Sequence, residues 1–225
     1  MEQRAQVIKL PIRRRTAEDR PKPRSIDGPR YFNSQQIRLL RKTVRDAAEL
    51  DHFKDKVTAI REWMAIDILT STGVRVSECA NLRCGDLEIG YAQNKIFIRD
   101  GKNHIAAHVL IPQSLKLHLK QFLKWKQDHG EPTGKDDHLF IGQRGAWTAQ
   151  AVQQLLKKYL RQLNIYEIGK SVHSLRHSYA VELYSKEKDL RAVQKQLRHV
   201  SISSTMIYAD VSDEEISEQV DDLWG

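Results

Sequence analysis

Six side chains of this chain could act together on a phosphodiester. They are Arg75 in Thr72-Gly-Val-Arg75-Val-Ser-Glu78, the trio of His173-Ser-Leu-Arg176-His177, His199 in Leu197-Arg198-His199, and Tyr208 nine residues further on. A phosphodiester under attack gathers negative charge on its non-bridging oxygens. Guanidinium forks suit that charge because they bind bidentately and never lose their own. Arg75 and Arg176 are the candidates. His173 lies three residues before Arg176, so on one helical turn both project to the same side, where an imidazole can shuttle protons. Tyr208 becomes a nucleophile only if its proton is removed or its oxyanion is stabilised by neighbouring cations. Taken singly, each arginine reads as a surface ion pair and the tyrosine as a packing residue; the argument rests on their company. His173 and His177, at i and i+4, also have the spacing of a zinc pair. However, Ser174 stands where zinc proteases place a glutamate, and no third ligand presents itself, so no metal is expected.

The elements that must position these groups are mostly helical. Asn33 or Ser34 can cap a helix with Ile37, Leu40, Val44 and Ala47/48 inward. Val57 to about Thr70 is apolar on most sides and belongs in the core, ending at Gly73. Val74 to about Arg83 reads as a further helix carrying Arg75, Glu78 and Leu82. The period then changes to two. Ile96 and Ile98, an Asp100-Gly101 turn signal and Ile105 to Ile111 predict a β-hairpin with Lys102 at its tip, and Leu87 to Gly90 can add a third strand. Ser114 is read as the cap of a helix with Leu115, Leu119, Phe122 and Leu123 inward, ending at Gly130. A polar loop over 131–147 follows. Thr148 caps a helix to about Leu163 whose outward face carries Gln150, Gln153, Lys157 and Lys158, residues suited to a nucleic-acid groove and equally to plain solvent. Three short helices are expected around His173–Leu183, Leu190–Leu197 and Ser203–Tyr208. Ser212-Asp-Glu-Glu215 then opens an acidic amphipathic helix with Ile216, Val220, Leu223 and Trp224 on one face. The fold class expected is mainly α with a small antiparallel β-sheet.

Composition fits a partner of opposite charge. The 225 residues are 40% hydrophobic, enough for a substantial core, and the net charge is +8. Residues 1–30 hold nine Lys/Arg against four acids and four of the six prolines; residues 209–225 hold seven acids and no base, which leaves +10 for 31–208. A basic body points to a polyanion, with counterion release supplying affinity. The first thirty residues read as a basic, flexible arm. No apolar run approaches the ~18 residues that span a bilayer, and no secretory leader is evident, so a cytoplasmic, nucleoid-associated protein is expected. Cys79 and Cys84 are read as reduced core thiols in one helix.

Together, Thr72-Gly-Val-Arg75-Val-Ser-Glu78, His173-x-x-Arg176-His177, Leu197-x-His199 and Tyr208 resemble the tyrosine recombinase (phage integrase) family over residues 31–225, its catalytic domain, with a hairpin lysine where that family places its own. The resemblance implies the DNA breaking-rejoining enzyme fold. It implies that Tyr208 attacks the scissile phosphate and stays joined to the 3′ end, releasing a 5′ hydroxyl. Arg75 and Arg176 would hold the phosphate oxygens, with His199 adding a hydrogen bond. Lys102 would protonate the leaving oxygen, His173 would handle the tyrosine proton, and Glu78 would brace the site. A covalent phosphotyrosine conserves the energy of the broken bond, so neither metal nor ATP is expected. The implied partner is double-stranded DNA at a specific site, bound by a protein that is monomeric in solution and assembles as a homo-oligomer, a tetramer, on DNA. The terminal helix, residues 212–225, would dock on a neighbouring protomer or on its own body.

The chain departs from the family pattern in three places. Arg198 stands where the family has glycine, and Asn103 follows Lys102 where the family has a second glycine. Only about thirty basic residues precede the catalytic domain, in place of a full core-binding domain. The expectation is either a short single-domain member or a fragment, with the arm supplying part of the missing clamp. The competing readings are a DNA-binding regulator of the same fold with weak catalysis and a type IB topoisomerase.

Overall fold

The structure, a computed structural model, describes residues 31–54, 56–99 and 106–198. The basic arm, the Asp100-Gly101 turn, Lys102, His199, Tyr208 and the acidic terminal helix lie outside the described residues.

Helix α1 (Ser34–Phe53) starts at Asn33, whose side chain accepts from the Gln36 N–H at 2.8 Å while the Gln36 carboxamide oxygen accepts from the Asn33 N–H at 3.1 Å. This reciprocal cap satisfies two donors that the helix itself cannot. Asn33→Ala is expected to cost about 1 kcal/mol of stability, measurable as a lowered urea midpoint with unchanged slope. The helix buries Leu40, Val44 and Ala48 against α2 (Thr58–Thr72), the central element. Twelve of the fifteen α2 residues are buried, and its two buried carboxylates are matched by partners on other helices. Glu62 accepts from Tyr159 Oη at 2.8 Å and Lys158 Nζ at 2.6 Å, and Asp67 bonds Arg41 and His118, each at 2.7 Å. A helix buried on all sides stays satisfied only with such partners.

Helix α3 (Val76–Ala80) is shorter than the Val74–Arg83 reading. Arg75 has extended dihedrals at its N-cap, and the chain leaves at Asn81. A 3₁₀ turn, Cys84–Asp86, leads into β1 (Leu87–Glu88), which pairs antiparallel with β2 (Lys95–Ile98), itself paired with β3 (Ala107–Leu110). Ile96, Ile98 and Val109 fill the inward face. The two strands pair with Ile98 facing Ala107, as expected of a hairpin. Cys79 and Cys84 do not share a helix, but both are buried free thiols; burial, with the nearby Glu78 charge, pushes the Cys79 thiol up to about 12.

Helix α4 (Gln113–Asp128) begins two residues earlier than expected, with Pro112 rather than Ser114 at its N-cap. It buries Leu115, Leu119, Phe122 and Trp125, and also Lys126, whose ammonium reaches Glu131 at 2.8 Å. The segment read as a polar loop carries buried Leu139 and Phe140 and a small ribbon, β4 (Ile141–Gly142) with β5 (Gly145–Ala146). Helix α5 (Ala149–Gln162), capped by the Thr148 hydroxyl, buries Val152, Leu155, Leu156, Tyr159 and Leu160. Helix α6 (Val172–Glu187) extends past Leu183, and α7 (Leu190–Leu197) packs on it through Ala180, Val193 and Leu197. Among the described residues no helix is long and apolar enough to cross a membrane.

Candidate active site

Three chain segments meet around Arg176. Helix α2 ends at Gly73, which adopts φ +64°, the left-handed conformation that glycine reaches without steric cost. A Cβ there would stand 2.6 Å from Tyr179 Cδ1 and 3.0 Å from Leu197 Cδ2, so only glycine lets α2 end this close to α6 and α7. The buried carbonyl of Gly73 accepts from Arg176 Nη1 at 2.6 Å, and Arg176 Nη2 donates to the Leu197 carbonyl at the end of α7. Arg176 is 4% exposed. Helix α6 thus places a buried guanidinium between the C-terminal carbonyls of two other helices, where the helix dipoles favour positive charge.

Arg75 follows Gly73 by two residues and is anchored by Glu78. One carboxylate oxygen of Glu78 accepts from the Arg75 backbone N–H and the other from Arg75 Nη1, both at 2.7 Å. Arg75 and Glu78 therefore meet around the start of α3, not along one face of it. Glu78 also accepts from Arg198 Nη2 at 2.6 Å, although Arg198 lies 120 residues away. Burial pushes the Glu78 carboxyl up, but the Arg198 charge and the bonds from Arg75 and Arg198 outweigh it, leaving it below the ordinary carboxylate value and ionised at neutral pH.

His173 is exposed on the first turn of α6, whose N-cap Ser171 accepts from the His173 N–H. Its pKa is lowered, first by partial desolvation of the ring where it lies against the protein and then by the positive charges of Arg176 and Arg75. The ring is therefore neutral at neutral pH and able to accept a proton. His177 is similarly lowered, and the two rings place Nε2 against Nε2 at 2.8 Å, so one donates and the other accepts. The i, i+4 spacing thus brings the two rings into direct contact.

The hairpin is fastened to the same corner by Gln196. Its carboxamide accepts from the Leu110 N–H at 3.3 Å and donates to the Leu110 carbonyl at 2.8 Å, as a neighbouring strand would, while also donating to Tyr179 Oη at 3.1 Å. Gln196 escaped the sequence reading, and Gly73 was read only as a helix stop, because their ties are made to or through backbone groups far away in the chain. On α5, Gln150 and Gln153 are exposed and Lys157 is half-buried, but Lys158 is held by Glu62. The fold brings Arg75, Glu78, His173 and Arg176 together; the α5 group lies on another helix.

The sequence model of the phage integrase family matches residues 33–215. The chain is 33% identical over 191 residues to the tyrosine recombinase XerC of Herpetosiphon aurantiacus and 31% identical over 172 residues to the tyrosine recombinase XerA of Pyrococcus furiosus. Those alignments cover 84% and 75% of this chain but 61% and 55% of the relatives, so the chain spans little more than half their length. Among solved structures, the XerH site-specific recombinase bound to its difH substrate superposes with a TM-score of 0.70 at 24% identity, over 88% of this chain and 55% of that one. The Tn1549 transposon integrase in complex with transposon right end DNA also gives 0.70, at 15% identity over 90% of this chain and 69% of that one. These likenesses concern the fold, a mainly helical tyrosine recombinase catalytic domain with small antiparallel sheets. With the family pattern running through α1 to α7 and through the segments that carry all four motifs, this chain belongs to the phage integrase family.

Proposed function

We propose that this chain is the strand-breaking and rejoining part of a site-specific DNA recombinase, with Tyr208 as its nucleophile. The observation that carries the proposal is the convergence of Arg75, fixed by Glu78, and Arg176, fixed by the Gly73 and Leu197 carbonyls, beside a neutral His173. Two guanidinia beside a proton acceptor suit an anionic, trigonal-bipyramidal phosphoryl transition state, and little else. In the reaction, Tyr208 Oη bonds to phosphorus as the bond to the 5′ oxygen breaks. His173 takes the phenol proton, and Lys102 protonates the departing 5′ oxygen. Arg75, Arg176 and His199 hold the non-bridging oxygens, and Glu78 steadies Arg75. The 5′ hydroxyl of a second strand reverses these steps, so the bond energy stored in the phosphotyrosine rejoins DNA. Support for a duplex DNA partner comes from the basic body of the chain and from the related recombinases described above, which were captured on DNA. Residues 31–225 would form the catalytic domain. The basic residues 1–30 would follow the phosphate backbone, and 212–225 would dock within a tetramer assembled on DNA.

The test is covalent capture. Nicked duplexes tiled across the DNA flanking the gene trap a protein joined to a 3′ phosphate, because the short 5′ fragment diffuses away. One of them is expected to yield an adduct stable to denaturant that Tyr208→Phe abolishes, with duplex affinity kept within about twofold. Binding without any adduct across the whole tiling would overturn the proposal in favour of a DNA-binding regulator.

A further inference from the structure

Arg198 is the charged group of this site to which the chemistry above assigns no task. It closes α7 at φ +56°, in the left-handed region that disfavours a residue with a side chain. Its side chain is 10% exposed and runs from the end of α7 to α3, where Nη2 meets Glu78. Its Nε and Nη1 are buried with no hydrogen-bond partner among the described residues. Backbone strain and unmet buried donors both count against an arginine whose only duty is to end a helix; glycine would do that without either.

The charges around Glu78 supply a reason. Glu78 is 2% exposed and forms a contact ion pair with Arg75. Paired only with Arg75, it would cancel at close range the positive charge that Arg75 must present to a phosphate. Arg198 adds a second guanidinium to the same carboxylate, so the triad of Arg75, Glu78 and Arg198 carries a net +1. The next carboxylate along, Asp86, is already matched by Arg99 at 2.6 Å and by the Arg83 N–H at 2.8 Å, so it does not reverse that balance. Arg198 also binds the Glu78 oxygen that accepts from the Arg75 N–H, which holds the carboxylate at the angle that directs Arg75.

We propose that Arg198 is a positioning residue for Arg75: it fixes Glu78 and offsets its charge, so that Arg75 meets the phosphodiester as an uncompensated cation. This deepens the reading of Arg75 as a phosphate ligand and rests on it.

Two measurements on the full chain decide it. The first is single-turnover cleavage of a nicked duplex by wild type, Arg198→Met, Arg198→Lys, Glu78→Gln and the Arg198→Met/Glu78→Gln double variant. Arg198→Met is expected to slow cleavage by roughly 10- to 100-fold, as loss of a supporting contact commonly does, with the thermal midpoint unchanged. Arg198→Lys, which keeps the charge, recovers most of the rate. Removing the Glu78 charge from Arg198→Met speeds cleavage again, because the charge that Arg198 offsets is then gone. A purely structural tie predicts the reverse: a lowered midpoint and a double variant slower than either single one. Either that pattern or wild-type cleavage by Arg198→Met overturns the proposal. The second measurement is the salt dependence of duplex binding in the Tyr208→Phe background, which needs no cleavage. Arg198→Met is expected to reduce the slope of log affinity against log salt by about 1, and an unchanged slope overturns the charge offset. If wild type forms no adduct at all, the recombinase reading fails, while the salt slope still decides the role of Arg198.

Discussion

Replacing Arg176 with alanine is expected to destabilise the protein by about 3–5 kcal/mol and to abolish cleavage at temperatures where it remains folded. Three losses add up. The Gly73 and Leu197 carbonyls forfeit charge-assisted donors in a buried setting, the ends of α2 and α7 lose their common tie, and a cavity opens where a long side chain stood. At roughly 2–4 °C per kcal/mol for a chain of this size, the thermal midpoint should drop by on the order of 10 °C. Arg176→Lys separates structure from chemistry. Lysine keeps the charge but is a single point of donation that cannot bridge two carbonyls and still present a fork. About half of the stability loss should remain, while cleavage should still fall by at least ~100-fold, the usual cost of one preorganised donor to a developing oxyanion. Calorimetry and single-turnover cleavage check the two parts. A lysine variant of wild-type rate would refute a bidentate role for Arg176.

Gly73→Ala is expected to be nearly as damaging, although it adds a single methyl group. A residue other than glycine at φ +64° costs about 1–2 kcal/mol from backbone sterics alone. The new Cβ must also push back a ring atom of Tyr179 at 2.6 Å and a methyl of Leu197 at 3.0 Å, which overpacks the joint between α2, α6 and α7 by about another 1–3 kcal/mol. The two costs can be told apart. Tyr179→Leu in the alanine background removes the ring and should recover the packing share but not the backbone share, as read from denaturant midpoints. Because the displaced carbonyl is the one that holds Arg176, cleavage should suffer more than stability, and the Tyr179→Leu rescue should restore it only in part.

Much of the scaffold was legible because it follows from local rules. The caps at Asn33 and Thr148, the all-round apolar character of α2, the Gly73 stop and the alternation of Ile96 and Ile98 each depend on residues close in sequence. The misreadings also have local causes. Val74, Val76 and Leu82 supply apolar residues on both sides of α3, so it looked longer than it is; Glu78 reaches back to the Arg75 N–H and starts the helix only after it. Ser114 is a good cap, but Pro112, with its fixed φ, begins α4 sooner. Leu139 and Phe140, buried within a polar segment, were too few to signal the small ribbon. At the site, residue types and order pointed to Arg75, Glu78, His173 and Arg176. Their fastenings could not be read, since backbone carbonyls have no sequence signature and the Arg198–Glu78 bond joins residues 120 positions apart.

The tie at Arg176 also bears on how the protein comes off the ribosome. The Gly73 carbonyl waits for a guanidinium 103 residues downstream, that guanidinium for a carbonyl 21 residues further still, and Glu78 for a partner 120 residues later. Helices α1 to α5 can collapse during synthesis around a core that is largely their own, but the corner that would handle DNA stays open until α7 has emerged. A nascent chain still attached to its messenger therefore has a formed body and an unformed site, and vectorial synthesis itself delays completion of that site until α7 has followed α6 out of the ribosome.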